Sequence, residues 1–333
     1  MMKFRRIGIL ATLAAAVLAG SAQADTIVLR ASHQFPGGKG DVRDEMVQII
    51  ARETKAANVD LEIQVYPGAS LFKAQEQWNA LVNGQFDISS FPLDYASGKV
   101  RDFGATLMPG LVRSHARAAR LNDSPFMKDI RSKIENAGVI VLADAWLAGA
   151  VASKKGCIRK PEDIKGLKIR SAGPTFAAMW QAAGASIVSI PSNEVYNALQ
   201  TGVADATDTS TGSFVSFRIY EQVKCITAPG DNALWFMYEP VLMSKKNFEK
   251  LTQKQKDVLI LAGKKAQDFF AKAAPGLDEE MVNTFKKNNV EVVTMSTAEY
   301  DAWLNVARES SYMEFAKEVP DGKKLIDEAL SVH

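Results

Sequence analysis

The chain is predicted to fold as an α/β protein of two lobes with a ligand cleft between them. Three observations carry that expectation. Its 333 residues are long for one domain and comfortable for two. Residues 27–90 alternate strand-like and helix-like stretches, and residues 164–208 do so again. A helical pattern after Thr252 is long enough to span both halves.

The first lobe is expected to open with a strand at 27–31. A loop, Ser32 to Gly38, leaves its carboxyl end. An amphipathic helix follows over 41–57, with Val42, Met46, Ile49 and Ile50 on one side. Residues 61–65 alternate apolar and polar and read as a strand. A helix over 74–82 stops at Gly84, and a strand at 86–90 runs into a second loop, Ser90 to Tyr95. Ser114 caps a helix through Leu121, and Pro125 opens another to 137. The unbroken apolar run 139–143 is typical of a buried parallel strand, with a further strand at 150–153.

In the second half, 168–170 is a short strand and Gly173-Pro174 opens a helix, since proline suits the first helical position. Gly184 stops it. A strand at 186–190 and a helix over 193–200, closed by Gly202, complete a β-α-β-α unit. Residues 222–227 and 234–243 read as strands. Thr252 and Gln255 form a capping box, opening a helix toward Ala274 with Val258, Leu261, Ala262, Ala266, Phe269, Phe270 and Ala273 at helical spacing. Pro275 is expected to bend or interrupt it before 277–287. A strand at 290–293 and a capped helix after Ser296 lead into a polar helical tail.

Arg170 is the residue with chemical content. It ends a strand just before a helix N-terminus, and open α/β sheets bind ligands outside the carboxyl ends of their strands. Helix N–H groups there favour anions, and arginine adds a planar fork suited to a carboxylate. Two readings stand on spacing alone: a carboxylate clamp, which needs the guanidinium dry and unpaired by protein, or a lobe-stabilising ion pair.

The stretches GLKIR, GASIVSIP, NEVYNALQTGVADA and SFVSFRIYEQVKC resemble the substrate-binding proteins of TRAP transporters, the C4-dicarboxylate-binding type, from about Thr26 onward. The resemblance implies a periplasmic binding protein fold, with residues 25–147 mainly in lobe 1, 148–235 mainly in lobe 2, and 236–333 packing across both. It implies a periplasmic receptor that delivers a small organic acid to a membrane permease. It also implies that Arg170 binds the ligand carboxylate. Many members carry a second arginine near Gly149 where this chain reads AWLAGAVASKK, so a monocarboxylate is favoured. The asparagine that bonds the ligand in the family is matched here by Thr209. Trp235 answers to an aromatic that several members lay over the ligand, or fills core.

Other ligand-facing candidates come from the residues themselves. His33 and Phe35 lie on the first strand-end loop and Pro92 on the second. His33 also reads as a structural histidine. Trp146 could wall an apolar portion, and Phe214 reads as either core or ligand wall. Cys157 and Cys225 lie in strand-like segments and are either bridged or free thiols.

A formal net charge of +2 and scattered basic residues argue against nucleic acid. Lys3, Arg5 and Arg6, an apolar run from Ile7 to Leu18 and Ala22-Gln23-Ala24 read as a leader over residues 1–24. No nucleophile elbow, HExxH or CxxC motif suggests catalysis, a metal or a cofactor. An ABC-type receptor and an exported hydrolase are the rival readings.

Overall fold

The computed structural model describes residues 26–231 and 233–332; the expected leader, Asn232 and His333 lie outside them. Twelve strands form two sheets among the described residues. They are β1 (Ile27–Ser32), β2 (Leu61–Tyr66), β3 (Ile88–Ser90), β4 (Val139–Ala143), β5 (Trp146–Ser153), β6 (Lys168–Arg170), β7 (Ser186–Val188), β8 (Ala206–Ser210), β9 (Cys225–Ala228), β10 (Phe236–Tyr238), β11 (Val241–Ser244) and β12 (Glu291–Thr294). The lobe 1 sheet has the order β2-β1-β3-β11-β4, and the lobe 2 sheet β12-β9-β5-β8-β6-β7, with β10 also on β5.

In each lobe the parallel strands are joined through helices, which cover the sheet faces. β1 pairs in parallel with β2 and β3, and β6 with β7 and β8. Helix Val42–Ala56 buries Met46, Val47 and Ile50 against lobe 1, and Asp41 caps it by accepting from the Arg43 N–H. Helix Pro174–Ala182 begins on its proline after Gly173, as the sequence predicts.

Lobe 1 passes to lobe 2 and back through two short crossings that lie side by side. Only Asp144 and Ala145 separate β4 from β5, and only Glu239 and Pro240 separate β10 from β11. The Glu239 N–H donates to the Ala145 carbonyl at 2.8 Å, which ties the crossings together. The long helix Gln253–Lys287, started by the Thr252–Gln255 capping box, packs its first half on lobe 1 and its second on β9, β12 and the helix Thr211–Ser216 of lobe 2.

Three expectations are corrected. The long helix is continuous through Pro275. Its halves are each pinned by a different lobe, which supplies the packing that offsets one missing backbone bond. Its buried face is Leu259, Ala262, Gly263, Ala266 and Phe270, while Leu261 is exposed. Gly263 belongs to that face because a Cβ there would lie 2.2 Å from the Leu142 carbonyl oxygen, a contact that an apolarity count cannot register. Finally, β4, expected as a parallel strand, is an edge strand paired antiparallel with β11. Ala206–Ser210, to which the sequence pattern assigns no element, is an interior strand whose five residues are all buried.

Cys157 and Cys225 are bonded to each other, with Cα atoms 5.0 Å apart. The bridge links the chain entering the β6 region to β9.

Candidate functional site

The carboxyl ends of β1 and β3 in lobe 1 and of β6 and β8 in lobe 2 meet at one seam. Arg170 ends β6 and is wholly buried. Its Nε donates to the Ile190 carbonyl at 2.8 Å, and Nη1 donates to the Asp208 main-chain carbonyl at 2.8 Å and to Asp208 Oδ1 at 3.4 Å. Nη2 crosses the seam to the Tyr95 hydroxyl at 3.1 Å. Five guanidinium N–H groups are available, so one N–H on Nη2 is left over.

This corrects the expectation of an unpaired guanidinium. Arg170 is dry and between the lobes, but Nε and Nη1 are committed to lobe 2. They hold the plane of the group so that the Nη2 edge faces lobe 1. The fork is therefore not offered whole.

Asp208 is the paired acid. Its carboxylate also accepts from Ser171 Oγ at 2.8 Å, Trp180 Nε1 at 2.7 Å and the Ala172 N–H at 3.2 Å. Burial raises its pKa, against the pull of Arg170 and these donors. The strand register explains the geometry. Arg170 lies beside Thr207, so Thr209 is the next residue of β8 on the same face. The Thr209 hydroxyl is buried with no bonding partner.

Lobe 1 contributes the loop after β3. Pro92 starts its short helical turn, Leu93–Ala96. The Tyr95 hydroxyl accepts from the Ser192 N–H at 2.8 Å as well as from Arg170. Asp94 is 2% exposed, and neither carboxylate oxygen has a bonding partner. Burial first, then the charge of Asp208, push its pKa up to about 7, against the attraction of Arg170. A Cβ on Gly173 would lie 1.4 Å from Asp94 Oδ2, so the acid rests directly on the backbone that opens helix Pro174–Ala182.

A second buried cluster, which the sequence analysis missed, flanks the first. Arg43 donates to Asp41 within lobe 1, to Glu239 at the crossing (3.0 Å), and to Ser210 and Ser213 of lobe 2 (3.1 and 2.8 Å). Burial alone would lower its pKa, but Asp41 and Glu239 together raise it. The Arg43 guanidinium carbon lies over the Phe35 ring, 3.7 Å from its centre. His33 Nε2 bonds Asp44 at 3.1 Å, while Nδ1 is buried and unbonded. Nothing in the local sequence separates Arg43 from an ordinary first-turn arginine.

The remaining candidates divide. Trp235 lies on Gly149, where a Cβ would come within 2.0 Å of the indole, and packs against Phe176. Any larger residue at 149 would collide with that ring. Trp146 sits in the lobe 1 core against Tyr238, with its N–H spent on Asn122. It lines a different pocket, with His115, Asp144 and Gln267. Phe214 belongs to the lobe 2 core, edge-on to Phe285. These two are placed by packing rather than by the seam, and Trp235 too belongs to a core, with Phe176, Trp180 and Trp303.

No helix among the described residues is long and apolar enough to cross a membrane. Comparison with known proteins accords with the geometry. A solute-binding protein of Albidiferax ferrireducens is 36% identical over 307 residues, covering 91% of each chain. The 2,3-diketo-L-gulonate-binding periplasmic protein YiaO of Escherichia coli is 26% identical over 274 residues, 80% of each. The crystal structure of a TRAP periplasmic solute-binding protein from Rhodoferax ferrireducens with bound malonate superposes with a TM-score of 0.88 at 36% identity, over 91% of this chain and 98% of that one. Residues 43–318 match the DctP model, described as bacterial extracellular solute-binding protein, family 7. With two α/β lobes closed on a buried arginine, the chain belongs to that family of solute-binding proteins.

Proposed function

We propose that this protein is the periplasmic receptor of a TRAP-type transporter, that it captures a small organic acid between its lobes through Arg170, and that it hands the acid to a membrane permease. The observation that carries this reading is the guanidinium of Arg170. It is wholly buried at the carboxyl end of β6, oriented by Ile190 and Asp208, with its Nη2 edge turned toward the other lobe. A ligand carboxylate takes the remaining Nη2 N–H, and one of its oxygens takes the place of the Tyr95 hydroxyl. Thr209, on the same face, offers a further hydroxyl. Trp235, on Gly149, covers an apolar portion, and Phe35 and His33 close the lobe 1 side.

Closure strengthens the ion pair because the interaction grows as water is excluded. The relatives' names point to acids: malonate for one, a diketogulonate for another. The Gly149–Trp235 contact leaves no room for a second cation at that position, so a monocarboxylate fits this chain better than a dicarboxylate. The apolar run near the N-terminus serves export, and the receptor performs no chemistry on its cargo.

Arg170→Lys keeps a cation beside Asp208 but loses the planar edge. Calorimetry against a panel of small carboxylates should show binding weakened by about 10- to 100-fold, corresponding to roughly 1.4–3 kcal/mol. The melting temperature should fall as well, because the Ile190 carbonyl and Asp208 lose bonded partners, so affinities are compared where circular dichroism shows both chains folded. Unchanged affinity across every carboxylate that binds the parent chain would refute the role.

A further inference from the structure

The loop after β3 supplies an acid as well as a tyrosine. We propose that Asp94 sets ligand specificity: it accepts a hydrogen bond from a donor, an ammonium or a hydroxyl, that the ligand carries beside the carboxylate held at Arg170. This rests on the carboxylate reading of Arg170 and goes beyond it.

Among the described residues, Asp94 is the carboxylate whose two oxygens are both buried and unbonded. Ser97 donates its hydroxyl to the Asp94 main-chain carbonyl at 2.6 Å, and its pull on the carboxylate is the least of the influences there. Asp208, the acid across the seam, has Ser171, Ala172 and Trp180 as well as Arg170. A structural acid would look like Asp208, because buried polar atoms are almost always bonded. Asp94 is instead held against lobe 2 by a close approach that only glycine at 173 permits.

The neighbouring orphaned atoms have the same sense. Gln34 Oε1 and Asn193 Oδ1 are buried acceptors without partners. They flank Tyr95, whose hydroxyl is bonded by the Gln34 amide and by Ser192. Around Tyr95 these two acceptors want donors, while the spare Arg170 N–H and the unbonded Thr209 hydroxyl remain for the ligand carboxylate.

Charge gives the ranking. Asp208 already balances Arg170 at 3.4 Å, and Asp94 adds a second acid. A ligand with two carboxylates would add two negative charges to that surplus and a hydroxy acid one. An amino acid would add none, and would set its ammonium against Asp94.

The test uses the full chain and two sets of matched acids. The first is propionate, L-lactate and L-alanine; the second is hexanoate, 2-hydroxyhexanoate and norleucine. Malonate is the dicarboxylate control. Calorimetry on the parent chain should rank ammonium above hydroxyl above plain acid in at least one set, with the extremes separated by about tenfold or more. Asp94→Asn, close in shape, should shrink that separation to less than about threefold while leaving the plain acid unchanged or tighter. Asp94→Ser, checked by circular dichroism, repeats the measurement if the amide perturbs folding.

The proposal is overturned if the plain acid or malonate binds best, or if both Asp94 variants weaken all members of a set alike. If the separation persists in both variants, Asp94 is not the acceptor while Arg170 keeps its role. If Arg170→Lys leaves every affinity intact, the carboxylate reading itself fails. A parent chain that binds none of the acids counts against both.

Discussion

At the scale of single residues, burial decides what each charge can do. Asp94 and Asp208 share a seam with Arg170, yet only Asp208 is surrounded by donors. With its pKa at about 7, Asp94 binds a proton in the folded chain over a range where an unfolded aspartate has released it. Folding stability without added ligand should therefore fall as pH rises from about 4 to about 7 and level off above, since stability drops wherever the folded state holds more protons. Each pH unit of that window is worth about 1.4 kcal/mol at most. Asp208 and Glu239, also raised by burial, contribute in the same direction. Urea unfolding between pH 5 and 8 should show a shallower slope for Asp94→Asn than for the parent, and parallel slopes would remove Asp94 from the account. Arg170 was legible in the sequence because a strand end before a helix start is a local pattern. Its engagement by Asp208 was not, because that acid lies 38 residues away in a stretch with no apolar alternation.

At the scale of elements, the sequence speaks clearly where a rule is local. Both capping boxes, at Thr252 and Ser296, start the helices expected of them. Gly202 adopts the left-handed conformation that closes its helix. The strand β8 was illegible for the opposite reason: it carries Thr, Asp, Thr and Ser inside a sheet, where Asp208 and Ser210 meet partners that only the fold brings near. The buried face of the long helix shifted for a similar reason, since Gly263 packs through its lack of a side chain. The Cys157–Cys225 bond was open in the sequence because adjacency of two strand-like segments is a tertiary fact. It closes a loop of 68 residues, and chain-entropy reasoning puts its contribution at about 4 kcal/mol. The double variant Cys157→Ser/Cys225→Ser should melt several degrees lower than the oxidised parent by calorimetry. Adding reductant should lower the parent similarly and leave the variant unmoved; a variant melting with the oxidised parent would show that β5, β9 and β12 hold that end of lobe 2 unaided.

At the scale of the whole molecule, the two lobes are held together by a few directional contacts and two close approaches. Arg43 reaches from lobe 1 to Ser210 and Ser213, Tyr95 reaches Arg170 and Ser192, and Gly173 admits Asp94. The fourth element is Gly104, on the turn Arg101–Leu107 of lobe 1. A Cβ there would lie 2.2 Å from Thr175 Oγ1 in the first turn of the lobe 2 helix that follows Arg170. Closure therefore requires a residue without a side chain at 104, whereas the interior of either lobe does not. Gly104→Val adds a branched wedge at the seam and leaves the lobe cores in place. The lobes should be held apart, with a larger radius of gyration by small-angle X-ray scattering that added ligand fails to reduce. Affinity should fall by about tenfold or more, because the ligand then meets only one lobe, while a loss of about 1.4 kcal/mol in binding need not appear in unfolding. If the variant instead closes like the parent and binds as tightly, Thr175 has moved aside and the seam is softer than its packing implies. If it binds weakly but scatters as a closed particle, the wedge acts on the ligand directly. Only weak binding together with an expanded particle identifies lobe closure, pivoting on the paired crossings at Ala145 and Glu239, as the event that makes Arg170 a binding site.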